Sequence, residues 1–132
     1  MPRDLFVYGT LLCPEVWAAV VGAPPAYVAA ELAGFACRRV RGEVYPAIRP
    51  APDERVPGAL VRDLEAAALA RLDDYEGPLY ARERHAIRLR SGVLATAEVY
   101  VLRADHDRHL SDAPWSLEAF RAGDLAAFLD AL

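Results

Sequence analysis

Seven residues near the start of the chain, Phe6-Val7-Tyr8-Gly9-Thr10-Leu11-Leu12, constrain its fold most. The first three are an apolar run with one β-branched and two aromatic members, which reads as a buried strand. Gly9 and Thr10 then turn, and after Cys13 the pair Pro14-Glu15 has the form of a helix's first turn. A strand that passes through a glycine turn into a helix start leaves several backbone N–H groups unpaired and facing one way. Such donors suit a carboxylate or an oxyanion. By the turn alone, Gly9 closing an ordinary reverse turn fits equally well.

The 132 residues suit one domain spanning residues 1–132, long enough to bury a sizeable core. Fifteen arginines against nineteen acids give a formal charge of −4, which argues against a nucleic-acid partner. No apolar run approaches the roughly 18–20 residues that span a bilayer. Met1-Pro2-Arg3-Asp4 runs directly into the first strand, with no room for a signal peptide, so a cytoplasmic protein without a membrane partner is expected. Two cysteines, Cys13 and Cys37, are too few for a disulfide framework. Lys, Asn and Gln are all absent from the sequence. Schiff-base chemistry and side-chain amides in an oxyanion hole are thereby excluded.

Residues 14–21 have helical apolar spacing and stop at Gly22-Ala23-Pro24-Pro25. Residues 27–32 and 35–40 read as β structure interrupted by Gly34. Residues 43–48 are strand-like, with Pro46 confined to an edge or bulge because it cannot donate to a ladder. Residues 49–55 read as loop, and 56–61 as an antiparallel return. Residues 64–75 are the clearest helix, with Asp63 as N-cap and Gly77-Pro78 as stop. Residues 80–89 and 93–102 flank Ser91-Gly92 as a hairpin. After a polar loop at 104–114, residues 116–132 read as a helix broken or kinked at Gly123-Asp124. This order lacks regular βαβ alternation. It predicts an α+β fold: a mostly antiparallel or mixed sheet, curled towards a barrel with helices packed outside.

The second informative stretch is Leu72-Asp73-Asp74-Tyr75-Glu76-Gly77 followed by Tyr80-Ala81-Arg82. A carboxylate in a helix's last turn is disfavoured by the helix dipole by several tenths of a kcal/mol. Asp73 sits three residues before Glu76 and repels it. Both effects raise the pKa of Glu76, as a general base or acid working near neutrality requires. On residue type alone, the three carboxylates fit a solvated helix end as well.

Taken in order, Tyr8-Gly9-Thr10-Leu11, Tyr45-Pro46-Ala47-Ile48, Leu72-Asp73-Asp74-Tyr75-Glu76-Gly77 with Tyr80 and Arg82, Ala97-Glu98-Val99-Tyr100-Val101 and Trp115 resemble the γ-glutamylcyclotransferase-like family. The resemblance is closest to its AIG2-like, γ-glutamylamine cyclotransferase branch. It implies a small mixed, mostly antiparallel β-barrel with flanking helices, and an enzyme that releases 5-oxoproline from a γ-glutamyl amine or amide, with no metal and no cofactor. It implies that Glu76 is the catalytic acid/base and that backbone N–H groups of residues 9–12 bind a small-molecule γ-glutamyl substrate. Tyr8, Gly9, Thr10, Leu11, Pro46, Tyr80, Tyr100 and Trp115 are the substrate-binding candidates. A non-catalytic module binding a γ-glutamyl or carboxylate ligand on the same fold is the alternative. The leaving amine and the oligomeric state are open at this level.

Other residues read more plainly. Tyr8 also fits strand packing, and Arg82 fits either a carboxylate partner or a solvated strand edge. Cys13 has no histidine nearby in sequence and reads as packing. Asp105-His106-Asp107-Arg108-His109 mimics a metal site but reads as a polar loop.

Overall fold

The computed structural model describes residues 2–132. Five strands close into one barrel in the order β1-β3-β2-β4-β5. They are β1 (Arg3–Val7), β2 (Val28–Arg39), β3 (Pro46–Leu64), β4 (Tyr80–Leu89) and β5 (Leu94–Leu102). The β1–β5 seam, with Leu5 opposite Glu98 and Phe6 opposite Val99, is parallel, and the other pairings are antiparallel. Helices α1 (Pro14–Val21), α2 (Ala66–Glu76), α3 (Leu117–Gly123) and α4 (Leu125–Asp130) complete the fold. The mixed, mostly antiparallel barrel with flanking helices is the architecture expected from the element order.

Strand alternation divides the core in two. Phe6 and Tyr8 cluster with Leu32, Ile48, Leu60 and Val99, all from strands, which places them inside the barrel. Leu5 and Val7 cluster with Val16, Trp17, Leu72 and Phe120, most of them from helices, in the layer between barrel and helices. Trp17 and Phe120 are almost fully buried there. Each such side chain contributes roughly 1.5–3 kcal/mol of transfer free energy. One backbone approach depends on a glycine: a Cβ at Gly58 would collide with the Val7 carbonyl oxygen, so β1 lies against β3 only because Gly58 has no side chain.

Two local expectations are corrected. Residues 49–55 are not a loop but part of β3: Arg49, Pro50 and Arg55 pair with β2, and residues 51–54 bulge out between them. Prolines and charges made the segment read as irregular. The irregularity is a register shift, from Ala33 opposite Arg55 to Phe35 opposite Pro50, around Gly34. Asp63 is no N-cap. It belongs to β3, has φ +59° and donates its N–H to Asp4 Oδ1 at 3.0 Å, so α2 begins only at Ala66. The break expected at Gly123-Asp124 is found: the last stretch is two helices divided at Asp124, with Ser116 capping the first through the Ala119 N–H. Pro46 is the first residue of β3, where its missing N–H is tolerated.

Candidate active site

Where β1 ends, the chain makes one 3-10 turn, Thr10–Leu12, before α1 begins. The Leu12 N–H donates to the Gly9 carbonyl and the Cys13 N–H to the Thr10 carbonyl, both at 3.0 Å. The N–H groups of Gly9, Thr10 and Leu11 are left without a protein acceptor among the described residues. These orphan donors belong to the 3-10 turn and its N-cap rather than to α1, whose Val16 and Trp17 N–H groups reach the Cys13 carbonyl. The turn is braced from several sides. Thr10 Oγ1 and the Tyr75 hydroxyl share a 2.6 Å hydrogen bond, and the Tyr27 phenol donates to the Leu11 carbonyl at 2.6 Å. Pro46 packs so closely that a Cβ on Gly9 would lie 3.0 Å from its Cγ.

The turn forms one wall of a cavity of about 240 Å³. The end of α2 forms another, and brings in Glu76. The helix stops there because Gly77 adopts φ +77° and donates to the Asp73 carbonyl. Glu76 lines the cavity, and its carboxyl has no hydrogen-bond partner among the described residues. Burial, and secondarily the negative charge of Asp73, pushes its pKa up to about 8. The two neighbouring carboxylates are disposed differently. Asp73 accepts from Arg82 Nε at 2.9 Å and from the Tyr100 phenol at 2.7 Å. Asp74 is exposed. The acidic helix end thus holds one paired, one solvated and one cavity-facing carboxylate.

Tyr8, Gly9, Thr10, Leu11, Pro46, Tyr80 and Tyr100 line the same cavity as Glu76. The three phenols are engaged by the protein. Tyr8 donates to the Tyr100 carbonyl at 2.6 Å, Tyr80 to the Pro46 carbonyl at 2.7 Å, and Tyr100 to Asp73. Burial above all raises their pKa values, so they stay neutral and form fixed walls. Trp115 does not join them. Its indole N–H donates to the Val44 carbonyl at 2.8 Å, its ring packs on Phe120, and it lines a neighbouring depression with Leu12 and Cys37.

Sequence reasoning missed Tyr45, Tyr75, Phe128 and Leu132 as lining residues. Tyr45 and Tyr75 adjoin Pro46 and Glu76, and that adjacency was an available signal. Phe128 and Leu132 lie far along the chain in an apolar stripe with nothing to set them apart from core. Burial raises the Cys13 thiol and pushes Cys37 up to about 12, which leaves neither as a thiolate near neutrality. His106 and His109 lie with ring centroids 5.5 Å apart, and no group of three or more metal-ligating side chains gathers among the described residues.

Comparison with known proteins gives a consistent setting for this geometry. The sequence pattern of the family described as "Gamma-glutamyl cyclotransferase, AIG2-like" matches residues 5–117. AIG2-like protein C of Arabidopsis thaliana is 33% identical over 129 residues, covering 97% of this chain and 74% of its own length. Protein AIG2 A of Arabidopsis thaliana is 26% identical over 129 residues, covering 98% and 76%. A solution structure of an Arabidopsis thaliana protein superposes with a TM-score of 0.76 at 25% identity, over 98% of this chain and 87% of its own. A solved structure named gamma-glutamyl cyclotransferase superposes with a TM-score of 0.70 over 99% and 86%. At 18% identity that is a likeness of fold. No helix of the described residues is long and apolar enough to cross a membrane.

Proposed function

Because this chain belongs to the AIG2-like gamma-glutamyl cyclotransferase family, we propose that it converts a γ-glutamyl amide into 5-oxoproline and a free amine, with Glu76 as the base and then the acid. One observation carries the reading: the unpaired Glu76 carboxyl shares a cavity with the unpaired N–H groups of Gly9, Thr10 and Leu11.

The reaction asks for little beyond those groups. The substrate's α-amine is mostly protonated near neutrality, with a pKa of about 8. A carboxyl group with its own pKa of about 8 exchanges that proton at small free-energy cost. The freed nitrogen attacks the γ-carbonyl of the same molecule. Ring closure is intramolecular, so holding the folded conformer can supply up to roughly 7–11 kcal/mol of the barrier. As the C–N bond to the leaving group breaks, Glu76 returns the proton to the departing nitrogen. The N–H groups of the turn hold the substrate carboxylate or the oxyanion that develops on the γ-carbonyl. Electrons are conserved throughout, and the scheme calls for no redox cofactor.

The test is direct. Incubation with γ-glutamyl amides should release 5-oxoproline in proportion to enzyme, and Glu76→Gln should abolish most of that release. Binding of γ-glutamyl amides without any 5-oxoproline would overturn the enzymatic reading in favour of a binding module.

A further inference from the structure

Glu76 shares its cavity with phenols from every side. Tyr8 comes from β1, Tyr45 from the segment before β3, Tyr75 from α2 itself, Tyr80 from β4 and Tyr100 from β5. Burial above all raises the pKa of each, so all five are neutral near neutrality. The C-terminal end contributes only Phe128 and Leu132, and among the described residues no Arg or His lines the cavity. Besides burial, the charge that bears on Glu76 is that of Asp73, one turn earlier on α2.

Where that charge stands depends on two donors. Arg82 and Tyr100 are opposite each other in the β4–β5 pairing, so their side chains leave the sheet on one face and both reach Asp73. The Tyr100 phenol, which lines the cavity, donates to Asp73 Oδ1 at 2.7 Å. The Arg82 guanidinium is not part of that lining. It donates through Nε to Oδ1 at 2.9 Å and through Nη2 to Oδ2 at 3.3 Å, while Nη1 donates to Glu98 Oε1 at 2.6 Å. One planar fork thus spans two carboxylates, which the single ammonium of a lysine does not reproduce. Arg3 and Arg84 hold Glu98 in turn, so the guanidinium is tied to the barrel wall. Without Arg82, Asp73 would keep only its donor on the cavity side, and its charge would move towards Glu76.

We propose that Arg82 is a positioning residue for the ring closure: it draws the Asp73 carboxylate away from the cavity towards Glu98, and so limits how strongly Asp73 opposes a negative charge on Glu76. The proposal rests on the cyclotransferase reading given above. Glu76 must be ionised before it can take a proton from the substrate's α-ammonium. An Asp73 released towards the cavity would postpone that ionisation to higher pH. Arg82 acts only through Asp73.

The experiment titrates the Glu76 side-chain carboxyl carbon by NMR on the full chain, assigned by its absence in Glu76→Gln. In parallel, 5-oxoproline release from γ-glutamyl-ethylamide gives the pH profile of kcat/KM. Arg82→Met should raise the carboxyl midpoint by roughly 0.5–1 pH unit, and the rising limb of the profile with it. In an Asp73→Asn background, Arg82→Met should move neither. Arg84→Met also takes a guanidinium from Glu98 but leaves Asp73 alone, and should leave the midpoint where it is. Arg82→Lys keeps the cation without the fork and should give a smaller rise, which carries the test should Arg82→Met not fold. A midpoint that either Arg82 variant leaves in place or lowers would overturn the proposal. So would an equal rise with Asp73→Asn present, which would make Arg82 a charge acting on Glu76 directly, or an equal rise from Arg84→Met. Release of 5-oxoproline with an unmoved midpoint would sink the positioning role and keep the reaction. The expected shifts with no 5-oxoproline would sink the reaction and keep the hold of Arg82 on Asp73. Absence of both would sink the two together.

Discussion

Glu76 and Glu98 show two fates of a carboxylate in this molecule. Glu98, on the helix-facing side of β5, is only 7% exposed, and its oxygens accept from Arg82 at 2.6 Å, Arg3 at 3.2 Å and Arg84 at 3.3 Å. Glu76 keeps more contact with open space, yet no protein donor reaches its carboxyl among the described residues. The contrast lies in partners rather than depth. A carboxylate surrounded by guanidinium groups is held by them and serves the scaffold. One left without partners in a cavity is held close to proton exchange and is available to a ligand. Arg82 joins the two regions, since it pairs both with Glu98 and with Asp73, the charge that bears on Glu76.

The largest expected effect breaks the comparison at the level of activity. Glu76→Gln should lower kcat for 5-oxoproline release by roughly 10²–10⁴-fold with substrate binding little changed, as for the loss of a general acid/base. Glu98→Gln should leave kcat nearly intact. Similar losses from both would mean that charge on this side of the barrel, rather than Glu76 itself, supports turnover.

Stability should sort the other way. Glu98→Gln removes the charge that three arginines share and should cost roughly 1–3 kcal/mol, read as a lower denaturation midpoint. A midpoint unchanged from the parent would show that the arginines re-pair at no cost.

The third prediction concerns pH. Folding raises the Glu76 pKa from its ordinary 4.5 to about 8, so between those values the folded state binds more protons than the unfolded one. Stability from this group is therefore fully present below about pH 4.5 and is lost as pH rises through about 8. Gln mimics the protonated carboxyl and does not titrate. Glu76→Gln should match the parent in Tm at pH 4.5 and exceed it increasingly up to about pH 8. A constant Tm difference across that span would contradict the raised pKa.

The smallest effect sharpens the link through Asp73. In the parent, kcat/KM should rise with pH as Glu76 ionises, with a midpoint near 8, and fall as the substrate amine loses its proton. Asp73→Asn removes the repelling charge and should move the rising limb to lower pH, while Asp74→Asn, at an exposed position, should move it less. Equal displacement by the two would reduce Asp73 to a general surface charge.

Local signals in the sequence were strong where short-range chemistry decides. Pro14 and Gly22 delimit α1, Gly77 ends α2 at Glu76, and Ser91-Gly92 marks the turn between β4 and β5. They were weak where a distant partner decides. The proline-rich residues 49–55 belong to a strand because β2 pairs with Arg49, Pro50 and Arg55 at either side of a bulge, and Asp63 leaves its capping position because Asp4, 59 residues away, accepts its N–H. Trp115 shares sequence order with the site residues but sits beyond the cavity, drawn off by the Val44 carbonyl and Phe120.

The sequence by itself determined the strand, turn and helix around Gly9, a glutamate at a helix end, the barrel-with-helices class and the resemblance to a family. It also pointed to Asp73 as a charge that raises the pKa of Glu76. Tertiary structure alone decided which of the three carboxylates at that helix end is paired, which is solvated and which faces the cavity. Tyr100, 27 residues from Asp73, and Arg82 take up Asp73, and among the described residues no protein donor reaches Glu76. It also decided that burial, ahead of Asp73, is the main cause of the raised pKa. The reason is physical: pairing and desolvation depend on which side chains the fold brings within a few ångströms, and local spacing along the chain does not encode that.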